Sequence, residues 1–219
     1  MILLELVKRT DERYQQFRNR HYVLNKGCHG QQLHYLVFYE NVLVGIISGA
    51  SAVYGCAPRD KFFNLSKVKV EKQAQLNQII SNVVFRLECR KPNLASQVLS
   101  MWRKRIKKDW EFLYQISVIG FETFVIPEDR GGLNDRRGTL YIADNWTKVG
   151  ITSGNTKMHD KSTGSAGLNN KHTRRSVEKK IILCIRVKGV KLIKEYASSW
   201  KDKEKSKLLS KRRKTLFTH

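Results

Sequence analysis

The chain has 219 residues, of which 41% are hydrophobic and 10% aromatic. That is enough apolar material to bury a full core, which excludes a disordered chain and predicts one main domain. Against 19 Asp and Glu stand 42 Lys and Arg, a net charge of +23, and an imbalance of that size points to a polyanionic partner, nucleic acid before an anionic membrane.

Cys28, Cys56, Cys89 and Cys184 form no CxxC pair, which speaks against a zinc site or a disulfide framework and for reduced thiols in a cytoplasmic protein. The apolar run at the start, MILLELV, is too short for a signal peptide, and no stretch approaches a membrane span.

Residues 1–14 alternate weakly between hydrophobic and charged, and LVKRTDERYQQFRNRHY (6–22) predicts a basic helix. The glycines of NKGCHG mark a loop. QLHYLVFYE and LVGIISGAS, joined at Glu40-Asn41, predict a β-hairpin. The stretch SAVYGCAPRDKFFNL is expected to be irregular, broken by Gly55 and Pro58, and KVKVEKQAQLNQIIS to be either a helix or a covering segment. VVFRLECR (83–90) predicts a buried strand, after which Pro92 and an Asn93 cap open the helix LASQVLSMWRKRIKK. In that helix Leu94, Val98, Trp102 and Ile106 recur every four residues and mark the core face, while Arg103, Lys104, Lys107 and Lys108 load the last turns.

DWEFLYQ leads towards a second strand (121–126), followed by a Gly-rich loop, a short helix carrying Tyr141 and a turn at Gly150. Two strand–loop–helix units then face one another across a cleft at the strand ends, where open α/β sheets hold ligands. Residues 151–176 predict a long mobile loop whose Lys157, Lys171, Arg174 and Arg175 can follow a sugar–phosphate backbone. VEKKIILCIRVKGVKLI predicts one long strand or two, with Gly189 as bulge or turn. The domain is expected to span 1–198 and a basic C-terminal tail 199–219, ending in the KRRK run. That tail is either a solvated, partly disordered end or a direct nucleic-acid contact.

Three blocks carry a family resemblance: NLASQVLS (93–100), FETFVIPED (121–129) and GTLYIADNWTKVGITSG (138–154). They resemble the shared blocks of the DruA-like proteins of the Druantia anti-phage system. The same ground plan is similar to the Mom-type phage proteins that modify DNA adenine and shield phage DNA from restriction. HGQQLHYLVFYENVLVGIISGAS fits both, and Arg59-Asp60 leans towards DruA. The match covers roughly residues 20–160, and the GTLYIADNW block is its most specific part.

The resemblance implies an α/β (α+β) fold: a GNAT acyltransferase-like mixed sheet flanked by helices, with the basic C-terminal extension. It implies an acyl-CoA-like donor and, through Mom, iron. It also implies an enzyme transferring a small acyl-derived, carbamoylmethyl-like group to adenine N6 of double- or single-stranded DNA, in the cytoplasm of a bacterial host cell, with a phage-encoded and a host-defence role both left open. The rival expectation is a DruA-like nucleic-acid-binding module of a defence system or mobile element without transfer chemistry; a third is an RNA-modifying acyltransferase. The place of the GNAT pyrophosphate turn reads CRKPNLAS, without glycine, so anion binding falls to Arg86, Arg90, Asn93 and Ser96 at the helix start.

Tyr141 sits where the resemblance places a tyrosine near the leaving group, as a general acid or to orient the substrate, against the plain alternative of a packed helix-start tyrosine. The acidic partner is Asp129 or Asp135, with Glu128 also in that loop. Asp129 alternatively caps the loop. His34 and Tyr35 lie on opposite faces of one strand, and only one can reach the cleft, as a substrate or metal contact. Arg86 needs a carboxylate such as Glu88 or Glu122, or else a phosphate. Trp102 and Trp146 read as core. Arg13, Tyr14, Arg18, Arg20 and Tyr22, with Arg136 and Arg137 of the loop, form the expected nucleic-acid-binding set.

Overall fold

The computed structural model describes residues 1–21, 30–127, 138–157, 174–176, 179–194 and 203–217. A seven-stranded mixed sheet forms the body, with strands in the spatial order 2–7, 32–39, 42–51, 79–87, 120–125, 181–186 and 147–151, and with helices on both faces. This is the mixed α/β sheet flanked by helices that was expected. Among the described residues no helix is long and apolar enough to cross a membrane.

The N-terminal half builds one edge of the sheet. The weak alternation at the start is strand β1 (Ile2–Val7), which includes the Leu6-Val7 step where the basic helix was expected to begin: Ile2, Leu4 and Leu6 alternate onto one face and join its core. Helix α1 (Glu12–Asn19) begins only where Asp11 accepts from the backbone N–H groups of Arg13 and Tyr14. The hairpin β2 (Gln32–Tyr39) and β3 (Val42–Ser51) turns at Glu40 (φ 49°) and Asn41 (φ 65°). Two left-handed residues in a row suit a tight two-residue connection between twisted strands.

The next stretch is ordered. Residues 57–63 form α2 (Ala57–Phe63), with Pro58 in its first turn and left-handed Asn64 (φ 58°) closing it. Proline at that position starts a helix instead of breaking one, because its missing N–H has no helical partner there. Helix α3 (Lys69–Leu76) occupies the middle of the segment expected to be helical or covering, but the last residues of that segment, Ile79–Ser81, already belong to strand β4 (Ile79–Leu87), which therefore begins before the expected Val83.

Helix α4 (Leu94–Tyr114) runs through DWEFLY, because Trp110 and Leu113 continue the stripe of Leu94, Val98, Trp102 and Ile106. All six are buried, and they cover one face of the sheet. Asn93 stands before α4 in a left-handed conformation (φ 60°) and makes no side-chain cap; Ser96 Oγ instead donates to the Asn93 carbonyl at 3.0 Å.

Strand β5 (Gly120–Val125) pairs in parallel with β4, and helix α5 (Thr139–Ala143) leads into β6 (Thr147–Ile151). Gly150 therefore lies in a strand and not a turn; a Cβ on it would come within 2.9 Å of Pro58. Strands β7 (Asn155–Lys157) and β8 (Arg174–Ser176) pair with each other, and β9 (Ile181–Arg186) is inserted between β5 and β6. Gly189 (φ 77°) makes a turn, with no second strand after it among the described residues. The tail, instead of a disordered end, contains α6 (Lys203–Phe217), which contacts α4 and β1.

Gly49 of β3 shows how closely α4 approaches. An added Cβ would lie 2.4 Å from Ile106 Cδ1 and 2.6 Å from Ile80 Cγ2. Gly49→Ala is expected to cost about 1–3 kcal/mol by overpacking, read by urea unfolding.

Candidate active site

Strands β4 and β5 pair at Ile79–Gly120, Ile80–Phe121, Ser81–Glu122 and Asn82–Thr123, and then part. Beyond that point β4 continues against β3 to Leu87, and β5 continues against β9 to Val125. The register between β3 and β4 shifts at the same place, from Ser48–Val84 to Gly49–Asn82. A bulge therefore coincides with the splay, as bulges do where a sheet turns a side chain to a new purpose. The result is a wedge between the C-terminal ends of two parallel strands.

Asn82 holds the point of the wedge. Its Nδ2 donates to the Ser48 carbonyl at 3.0 Å and the Val84 carbonyl at 3.3 Å. Its own carbonyl accepts from Thr123 Oγ1 at 3.2 Å, which ties the two parting strands together. Its Oδ1 accepts from the Tyr141 hydroxyl at 2.6 Å. Tyr141, on α5, is buried, with its ring edge-on to Trp146 at 5.1 Å. Its phenol thus stands beside the splay, and in this arrangement it gives its hydrogen bond to the strand. Trp102 also lies on this face, against Phe121, and its buried Nε1 has no hydrogen-bond partner among the described residues.

On the opposite face Ser48 Oγ meets the Tyr14 hydroxyl at 2.8 Å and His34 Nδ1 at 3.1 Å. Tyr14 is fully buried, so it supports the sheet and is no part of an exposed stacking patch. Burial, reinforced by the charges of Arg9 and Arg18, pushes the His34 pKa down to about 4 and keeps the ring neutral. A neutral imidazole can ligate a metal, but this ring is engaged with Ser48 and flanked by cations. No group of three His, Cys, Asp or Glu placed to hold a metal occurs among the described residues. These residues do not fit iron. Tyr35 lies on the other face, as alternation requires, and its hydroxyl donates to Asp109 at 2.8 Å inside the core.

The α2 face of the same strand ends carries a buried ion pair. Arg59 Nη1 reaches Glu122 Oε2 at 2.5 Å, its Nε reaches Asp60 at 2.7 Å, and a second Nη donates to the Val53 carbonyl. Lys72 extends the network to Asp60 at 2.5 Å. Burial pushes the Glu122 carboxyl up to about 7 against the pull of Arg59. Its folded pKa lies above the ordinary 4.5, so the fold holds a proton that the unfolded chain has released. The stability from that proton is full below pH 4.5 and lost as pH rises through 7. Glu122→Gln is expected to flatten this fall, which is on the order of 3 kcal/mol, in unfolding curves measured from pH 5 to pH 8.

The remaining expected site residues are dispersed. Arg86 pairs with Glu88 at 2.9 Å and donates to the Arg20 carbonyl beside α1, so its partner is not Glu122 and it does not join Asn93 and Ser96. Arg20 pairs with Glu88 at 3.2 Å and lies over the Phe17 ring, while Arg18 is half-buried on α1. Arg13 is paired with Glu5 and Asp11. Arg90 and Asn93 are exposed near the start of α4, where Ser96 is half-buried. Lys157, Arg174 and Arg175 lie on the β7–β8 ladder, where Lys157 pairs in register with Arg174. Tyr22, Glu128, Asp129, Asp135, Arg136, Arg137 and Lys171 fall outside the described residues.

Asn82 and the Arg59–Glu122 pair were not singled out as site residues from the sequence. The signal for Asn82 was a polar Ser-Asn step inside the apolar run IISNVVF. A buried amide in such a strand needs partners on both sides.

A family model described as Druantia protein DruA matches residues 2–183. No curated protein matches the chain. Among solved structures, an acetyltransferase from Bacillus subtilis in complex with CoA has a TM-score of 0.47 at 9% identity, over 85% of this chain and 99% of that one. A GNAT family acetyltransferase from Elizabethkingia anophelis with acetyl-CoA bound gives 0.46 at 8% identity, over 85% and 98%. An aminoglycoside 6'-N-acetyltransferase from Enterococcus faecium gives 0.44 at 10% identity, over 84% and 96%. At those scores the likeness in chain path is partial.

Proposed function

The chain belongs to the DruA family, and for this member we propose a nucleic-acid-directed transferase that passes a small acyl group from a thioester donor to a base amine in DNA. The observation that carries this reading is the wedge between β4 and β5, with Tyr141, Asn82 and Thr123 at its point. Strand pairing between β4 and β5 stops at Asn82–Thr123. An extended, amide-bearing arm such as that of CoA suits such a gap, because it can complete the interrupted ladder with backbone hydrogen bonds. The net charge of +23 supports a polyanionic acceptor.

An acyl thioester supplies an electrophilic carbonyl. The acceptor amine forms the new C–N bond as the C–S bond breaks, the amine loses a proton, and the sulfur leaves as a thiol. Tyr141 holds a proton at its hydroxyl and is the group assigned to deliver it to the departing sulfur once that hydrogen bond is exchanged from Asn82. Asp129 or Asp135 is the assigned acceptor of the amine proton. Asn93, Ser96 and Arg90 are assigned to the donor's phosphates at the α4 start. The finer reading is the Mom type, in which the acceptor is adenine N6, extruded from the duplex or met in a single strand.

Nucleoside mass spectrometry of DNA from cells expressing the chain tests this proposal. A new adenine derivative that depends on the chain supports it; unaltered nucleosides under every condition of expression count against it. A second reading, a DNA-binding module without transfer, is favoured by one observation: the Tyr141 hydroxyl is already committed to a buried amide.

A further inference from the structure

We propose that the outward face of α6 is a docking surface for the phosphate backbone of nucleic acid. This deepens the reading above by naming where its polyanionic partner is gripped. It shares the nucleic-acid partner with that reading but does not depend on the transfer chemistry.

The helix sequence KEKSKLLSKRRKTLF carries seven cations and one acid. Leu209 and Leu216, seven residues apart, lie on one side and pack against the core cluster under α4. Lys207, Lys211 and Lys214 follow one another at i, i+4 and i+7 on the opposite side, and all three are exposed. No carboxylate among the described residues pairs with Lys207 or Lys211. The stripe advances about 6 Å and then about 4.5 Å along the helix. A helix of this length, about 22 Å, spans roughly six base-pair steps of a duplex at about 3.4 Å each.

The orientation decides between polyanions. A helix that binds a membrane surface needs its apolar face for the acyl boundary. Here Leu209 and Leu216 are used against the protein body, and the outward stripe is cationic, with Leu208 as the single large apolar side chain of the helix that the described residues leave exposed. That suits a charged backbone read without insertion.

The test compares the full chain with the Lys207→Gln/Lys211→Gln/Lys214→Gln variant, using fluorescence anisotropy on a labelled 20-base-pair duplex from about 50 to 300 mM salt. A matched variant, Lys61→Gln/Lys67→Gln/Lys69→Gln, removes the same charge from exposed positions near α2 and α3. The α6 variant is expected to bind at least about tenfold more weakly near 100 mM salt, with the log–log salt slope shallower by about 2–3. The matched variant is expected to shift much less, and circular dichroism checks that both keep wild-type helicity. Equal losses in both variants, or no loss in the α6 variant, overturn the proposed surface while leaving nucleic-acid binding in place. Absence of duplex binding by the wild-type chain overturns both the surface and the nucleic-acid reading. Tight binding to anionic phosphatidylserine vesicles, abolished by the same three substitutions while duplex binding is unchanged, assigns the face to membranes and overturns the proposal. A weakened α6 variant alongside unmodified DNA in cells upholds the surface and removes only the transfer chemistry.

Discussion

Replacing Arg59 with alanine is expected to destabilise the protein by about 3–5 kcal/mol, the usual cost of removing one partner from a buried ion pair. Arg59 and Glu122 are both fully buried, and the guanidinium also serves Asp60 and the Val53 carbonyl. Its loss leaves the buried Glu122 carboxyl and the Val53 carbonyl without their donor and opens space between α2 and β5. Arg59→Lys is expected to recover little, because one ammonium cannot reproduce three donations from a planar fork. Chemical unfolding near pH 7 reads both variants. Losses under about 1 kcal/mol would mean that the pair behaves as a surface ion pair and does not brace the strand ends.

Tyr141→Phe is expected to lower base transfer by about 10²–10⁴-fold, the range for losing a positioned acid. Duplex affinity should stay within about twofold, since the phenol is buried and phosphate contacts dominate binding. The substitution deprives Asn82 of one hydrogen bond at 2.6 Å, a stability cost of about 1–3 kcal/mol that a thermal melt separates from the loss of rate. Transfer that survives at the wild-type rate would remove Tyr141 from the chemistry and leave it a support for Asn82.

Much of the fold was legible because the signals were local. The Glu40-Asn41 pair between two β-branched runs declared its hairpin, and the four-residue recurrence from Leu94 to Ile106 declared α4 and its buried face. Errors arose where a local signal had two meanings. Pro58 looked like a breaker but stands in the first turn of a helix, and Gly150 looked like a turn but lets β6 pass against Pro58. The charges of Lys8, Arg9 and Asp11 blurred the alternation of β1 into the helix that follows. The site was less legible than the fold because its contacts are long-range. Asn82 meets Tyr141 across 59 positions, and Arg59 meets Glu122 across 63. No periodicity reports such pairings. The insertion of β9 between β5 and β6 is likewise a tertiary event, which places the strand of Cys184 next to that of Glu122.

The most direct measurement is group transfer by the purified chain, with acetyl-labelled acetyl-CoA and both single- and double-stranded oligonucleotides containing adenine. The wedge at Asn82 and Thr123 should give label bound covalently to the nucleic acid with release of free thiol, abolished by Tyr141→Phe while the oligonucleotide is still bound. Tight oligonucleotide binding with neither labelled nucleic acid nor released thiol would contradict a transferase at that wedge.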